Sequence, residues 1–132
     1  MNRAEIMKRS STAETRATIE RMYAAAQAGN LAAVSEVMHE QVVVDEPPFL
    51  PYGGTYTGLK EFAGVYAEAS AVIDLAALQV ESLTVEDDHA FAVVKVPLVA
   101  RAARITLVEH WTVAEGKITS GQIFWFDRLN WE

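Results

Sequence analysis

From about residue 76 onward the chain reads as one strand after another. Four apolar, β-branched runs lie near 76–86, 89–100, 103–114 and 117–127, with Asp87-Asp88, Ala100 to Ala103 and Glu115-Gly116 between them. Runs of this length broken by turn residues are strands joined to their neighbours as an antiparallel meander. Helical periodicity is confined to the part of the chain before them. Helices first and a meander last is the order of an α+β fold, and it excludes alternating βαβ units. The strands are also apolar at nearly every position, as in Phe91 to Val99 and Ile123 to Phe126. A sheet wetted on one face would alternate apolar and polar residues cleanly. Both faces are therefore expected to be covered, one by helices and the other by a second subunit.

The first helix is expected to begin at Ser11 or Thr12, with Glu14 and Thr15 in the following turn. Ile19, Met22, Tyr23 and Ala26 follow at helical spacing. Gly29-Asn30 ends that helix. A short second helix is read over 31–38, with Leu31, Val34, Val37 and Met38 on one face. Val42-Val43-Val44 is a strand, stopped by Asp45-Glu46-Pro47-Pro48. Pro47 to Gly58 reads as a loop of defined shape. A third helix spans about 59–72, with Phe62, Val65, Tyr66 and Ala69 inward. Residues 1–11 are read as a frayed, flexible start, and 12–132 as a single domain.

Composition narrows the functional classes. The 132 residues carry a formal charge of −7 with no basic stripe, only the Lys8-Arg9 pair. Phosphate binding needs clustered Lys and Arg, so neither nucleic acid nor an anionic membrane is an expected partner. No apolar run approaches the ~18 residues of a membrane span. Cysteine is absent, which removes disulfides, thiolate metal sites and a Cys nucleophile, and fits a cytoplasmic protein. No two of His39, His89 and His110 have metal-ligand spacing, so no metal and no cofactor are expected. Gly53-Gly54 lacks the pattern of a phosphate loop, and no serine sits in a nucleophile elbow.

Several stretches together are similar to a known superfamily. These are Arg21-Met22-Tyr23-Ala24-Ala25, Ala28-Gly29-Asn30-Leu31, Val42 to Pro47, Tyr56-Thr57-Gly58-Leu59, Glu109-His110-Trp111 and Gly116-Lys117-Ile118. Over about residues 15–128 they resemble the ketosteroid isomerase and SnoaL-like polyketide cyclase superfamily, also called NTF2-like. The resemblance implies a cone-shaped, curved sheet wrapped around three helices, with one deep apolar pocket. It also implies a homodimer formed through the outer sheet face. It further implies acid–base chemistry on an apolar carbonyl or polycyclic small molecule. A non-catalytic binding or dimerising module is the alternative, since this fold carries many functions.

Three residues take catalytic roles under that resemblance. Glu46, at the end of the first strand, matches a carboxylate that moves a proton between ring carbons; the alternative is a solvated strand end. Glu109 matches a protonated carboxylic acid that donates to the oxyanion. Independently, alternation places Glu109 on one face with Leu107, Trp111 and Val113, where an unpaired charge is costly and its pKa is pushed up. Tyr23 is the candidate for the second oxyanion donor. An ungapped match puts Met22 at that place and Tyr23 about 100° further round the helix. Tyr52 and Tyr56 are the substitutes.

Lys95 shares parity with Phe91 and Val93. It either enters the pocket to pair with Glu109 or Glu46, or snorkels to the rim. His110 has the opposite parity to Glu109 and should face outward. Asp127 either closes the pocket floor or caps the last strand. Phe49, Leu50 and Tyr52 ride on a loop fixed by prolines and glycines, read as a pocket lid or wall or as a plain turn. With Met22, Tyr56, Phe62, Tyr66, Phe91, Trp111 and Trp125 they complete the expected substrate-binding set, suited to a flat apolar ligand.

Overall fold

The computed structural model describes residues 8–128. Helix α1 (Thr12–Gln27) starts with a capping box: the Ser11 side chain accepts from the Glu14 backbone N–H, and Glu14 reaches back to the Ser11 N–H. Its buried stripe is Thr15, Thr18, Ile19, Met22, Tyr23, Ala25 and Ala26. Gly29, at φ +67°, turns the chain directly into α2 (Leu31–Glu36), which Asn30 caps. Strand β1 (Met38–Glu46) follows, then β2 (Gly54–Thr57) and α3 (Gly58–Ser70). A single 3₁₀ turn (Leu75–Ala77) leads to the meander: β3 (Gln79–Glu86), β4 (His89–Pro97), β5 (Arg104–Ala114) and β6 (Lys117–Trp125).

The six strands form one curved, unclosed sheet in the order β2-β1-β6-β5-β4-β3. The meander is antiparallel throughout, and β1 joins β6 in parallel. Strand β2 lies inside the stretch expected to be loop; it hydrogen-bonds back onto β1, Val43 opposite Thr57 through Glu46 opposite Gly54. Register shifts interrupt β1, β3 and the β5–β6 ladder. Such irregularities bend a strand and sharpen its twist, which curls the sheet around the helices.

The inward positions of β4 and β5 hold Ala90, Ala92, Val94, Val96, Ile105, Leu107, Trp111 and Val113, all buried. They pack with Ile19, Met22, Val34, Val42 and Phe62 in one core. Burying each large apolar side chain of this kind contributes about 1.5–3 kcal/mol. Residues 8–10 make contacts with the sheet. Arg9 bridges Ala114, Ser10 is buried, and the Lys8 backbone exchanges hydrogen bonds with Glu115. Residues 1–7 lie outside the described residues, as does the end of the expected domain, 129–132.

Candidate active site

The mouth of the sheet and the three helices enclose a cavity of about 80 Å³, lined by apolar side chains and by Tyr23, Glu46, Tyr66 and Glu109. One water needs on the order of 10–15 Å³ of such space, so there is room for several. Met22 and Tyr23 come from α1, Phe62 and Tyr66 from α3, Glu46 from the end of β1, Glu109 and Trp111 from β5, and Trp125 from β6.

Strand alternation delivers Glu109 as expected. It stands between Ala92 on β4 and Ile123 on β6, on the face that buries Leu107 and Trp111. It is one of the side chains that line the cavity. The Tyr23 hydroxyl donates to Glu109 Oε1 at 2.6 Å, and the Trp111 Nε1–H donates to the Tyr23 oxygen at 3.0 Å. So Tyr23, despite its one-residue offset from the family's tyrosine, does reach the carboxyl. Burial pushes Glu109 above its ordinary range, while the hydrogen bonds from Tyr23 and Trp111 pull it back. Tyr23 is pushed well up, first by burial and then by the neighbouring Glu109 charge.

Glu46 has a different environment. Its Oε2 is buried with no hydrogen-bond partner. Burial, and secondarily the charge of Glu109, raise its pKa from 4.5 to about 8. It is therefore mostly neutral at pH 7. Tyr66 is also raised, by burial and then by Glu109.

Other expected site residues are placed elsewhere. Phe91 is corrected to the outer face: it is 48% exposed and stacked on His110, with ring centroids 4.3 Å apart. Lys95 follows it outward, bonding Thr106 Oγ1 at 2.8 Å and approaching Glu81 at 4.0 Å, so it pairs with neither Glu46 nor Glu109. The physical reason is that the inner side of β4 is built from Ala90, Ala92, Val94 and Val96, whose parity is opposite. Asp127 accepts from the Thr106 backbone N–H at 2.7 Å and ties down the end of β6 instead of closing the pocket.

Leu50 and Tyr52 are buried in a second cluster with Val65 and Ala69, behind the cavity wall. The Tyr52 hydroxyl is buried without a partner, and burial and the nearby carboxylates raise its pKa. Tyr56 donates to the Tyr52 carbonyl at 2.9 Å, so it too serves the loop. Phe49 packs edge-on against Trp125, 6.2 Å between centroids, and lines a shallow outer groove with Glu46, Ile123 and Trp125.

Gly121 was not among the expected residues. It lies opposite Trp111 across β5–β6, and a Cβ there would clash with the edge of the indole ring. A glycine inside a strand run is a signal of close approach, and the sequence carried it. Among the described residues no group of three or more His, Asp or Glu is arranged to hold a metal ion. None of their helices is long and apolar enough to cross a membrane.

Comparison with known proteins agrees with this architecture. No curated protein sequence matches the chain. Among solved structures it is similar to an NTF2-like protein from Burkholderia xenovorans LB400, with 20% identity, a TM-score of 0.72 and 87% and 91% of the two chains covered. It is similar to a protein of Kribbella flavida DSM 17836 provisionally named a ketosteroid isomerase, at 18% identity, TM-score 0.75 and coverage of 90% and 82%. A Sinorhizobium meliloti protein provisionally named a polyketide cyclase matches at 19% identity, TM-score 0.68 and coverage of 81% and 93%. At these identities the structures establish the shared fold alone. The SnoaL-like domain family itself matches residues 19–121, most of the chain, and the protein belongs to that family.

Proposed function

We propose that the protein catalyses proton transfer next to the carbonyl group of an apolar small molecule held in the cavity. The observation that carries this reading is the pair of carboxyl groups, Glu46 and Glu109, lining one apolar cavity in two unlike environments. A neutral carboxylic acid polarises a carbonyl, and a carboxylate removes the proton beside it. Environments that push two titratable groups apart set up an acid and a base. The apolar walls favour a ring or alkyl body over a charged substrate. The names of the Kribbella and Sinorhizobium proteins are compatible with such chemistry.

The test is a panel of apolar ketones in deuterated buffer, with α-hydrogen exchange followed by NMR, alongside binding of nitrophenols as enolate mimics. Wild type should accelerate exchange, and Glu46→Gln and Glu109→Gln should each lose at least 100-fold, on the scale of acid–base catalysis. Nitrophenols held tightly with no exchange of any ketone would point to a non-catalytic binding module. Neither binding nor exchange would overturn both readings.

The same proposal includes a second copy of the chain on the outer sheet face. The outward positions Phe91 to Lys95, Thr106 to Thr112 and Ser120 to Phe124 contain no carboxylate, in a chain with 18 acidic residues and a net charge of −7. Phe91, Phe124 and Phe126 are 48%, 44% and 81% exposed. Two acidic molecules repel wherever carboxylates face each other, so the patch without them is where copies can meet.

A further inference from the structure

The cavity holds two carboxyl groups, and the hydrogen bonds distribute unequally between them. Glu109 Oε1 accepts from Tyr23 at 2.6 Å, within the range of an O–H bond to a charged carboxylate. The Tyr23 oxygen is itself engaged by the Trp111 N–H at 3.0 Å. The phenol has one proton, and with its oxygen already accepting, that proton is committed to Glu109. Glu46 Oε2, in contrast, is buried with no donor at all. An orphan oxygen costs far less on a neutral acid than on a carboxylate.

Resting on the proton-transfer reading above, we infer that the charge in the resting site sits on Glu109 and the proton on Glu46, so that Glu109 is the base and Glu46 the acid. This exchanges the roles that family resemblance assigns. In the forward step Glu109 takes the hydrogen from the carbon beside the carbonyl, and a carboxyl O–H bond forms as the C–H bond breaks. The C–H electron pair becomes the enol double bond, and the carbonyl π pair moves to oxygen. That oxygen takes the proton from Glu46, leaving Glu46 as the carboxylate. Reversal at the same or another carbon restores both groups, so no co-reactant is needed.

The arrangement also assigns positioning roles. Trp111 lies between Ala90 on β4 and Gly121 on β6, the two small residues that give its indole room across the sheet. A Cβ on residue 121 would clash with that ring. Gly121 thus seats Trp111, Trp111 orients the Tyr23 hydroxyl, and Tyr23 holds the charge on Glu109. Neither Trp111 nor Gly121 needs to touch the substrate for this.

The test needs no substrate, so it stands apart from the fate of the catalytic reading. Infrared difference spectra of the ligand-free protein at pH 6 should show the C=O band of one buried neutral carboxylic acid. The band should vanish in Glu46→Gln, persist in Glu109→Gln, and fade in wild type with a midpoint near pH 8. Tyr23→Phe should add a second neutral-acid band, as Glu109 loses its donor and takes up a proton. Trp111→Phe should move the Glu109 midpoint the same way by a smaller amount. Gly121→Ala should do so in wild type and have little further effect in the Trp111→Phe background. A band that vanishes in Glu109→Gln and survives in Glu46→Gln would overturn the assignment. No band at pH 6, or a Glu109 midpoint unmoved in Tyr23→Phe and Trp111→Phe, would do the same.

Discussion

The two faces of the one sheet use the same strands for opposite purposes. On the inner face β4 offers Ala90 and Ala92, and β5 places Glu109 and Trp111 beside them. Small residues there make room for a carboxyl and an indole that must reach the helix. On the outer face the next residues along the same strands, Phe91 and His110, stack flat on each other, 3° between ring planes. Inward, bulk is removed so that polar groups can be enclosed and paired. Outward, bulk and aromatic surface are left uncovered. A strand has only two sides, so each choice on one face fixes which residue remains for the other. Apolar content alone does not define a core: Phe124 and Ile123 are neighbours in sequence, yet they are 44% and 7% exposed.

Truncating one residue on each face separates the two contributions to stability. Leu107 is 2% exposed, and Leu107→Ala should cost about 2–5 kcal/mol in denaturant unfolding, from lost burial and the cavity left behind. Phe124→Ala should cost under about 0.5 kcal/mol in the monomer, as surface changes do. In the same variant, sedimentation should shift towards monomer if the outer face carries a second copy. Equal destabilisation by both substitutions would mean that the faces are not distinct. An unchanged assembly state in Phe124→Ala would remove that face as the interface.

The enclosed acid makes stability depend on pH. Glu46 has an ordinary pKa of 4.5 and a folded-state value of about 8, so between these values the folded state binds more protons than the unfolded state. The stability it contributes is fully present below pH 4.5 and is lost as pH rises through 8. The total swing is on the order of a few kcal/mol. Thermal unfolding should therefore show stability declining from about pH 5 to pH 8 in wild type. Glu46→Gln should flatten much of that decline and be the more stable protein at pH 8 and above. A wild-type curve as flat as the variant's would mean that Glu46 is not enclosed. No outer-face residue should have an effect of this size, because water screens it.

Much of this asymmetry was legible before the fold was known. Strict alternation along Leu107, Glu109, Trp111 and Val113 placed the second carboxyl in the cavity, since three large apolar neighbours on one side leave no other choice. The same logic failed for Phe91 and Lys95. Strand β4 is apolar on both sides, so parity could not say whether the alanines or the phenylalanine faced inward. Alanines beside a tryptophan and a carboxyl are the inward set because they must make room, and that reason becomes visible only once β5 is paired alongside. Strand β2 was hidden because four residues among prolines and glycines carry little pattern. The parallel joint of β1 to β6 unites residues distant in sequence, Met38 with Ile118, which no local pattern encodes. The Tyr23 to Glu109 bond crosses from helix to sheet, and no local spacing encodes it. Gly121 was visible as a glycine inside a strand run, but its reason lay in the indole opposite.

The outer face carries a weaker pH dependence of its own. His89 Nδ1 and His110 Nε2 lie 2.9 Å apart, so a neutral pair shares one hydrogen between two ring nitrogens. Asp88 faces His89 at 3.4 Å, Arg9 lies 3.8 Å from Asp88, Phe91 stacks on His110, and Gln122 is opposite it on β6. Partial burial, and then the His89 charge, lower the His110 pKa below its ordinary 6.5. The folded state therefore binds fewer protons there than the unfolded state does. The stability involved is present above pH 6.5 and is lost as pH falls through the lower folded value. His110→Gln removes that loss, so its melting temperature should gain slightly on wild type between pH 6.5 and pH 5 and show no gain at pH 8. Parallel curves would mean that the two rings do not share a proton. On the inner face acid stabilises, because the enclosed carboxyl is neutral; on the outer face acid destabilises, because two adjacent rings cannot both be charged without repulsion. Opposite slopes from Glu46, at the inner end of β1, and His110, on the outer face of β5, would show that the two faces differ in charge logic as well as in packing.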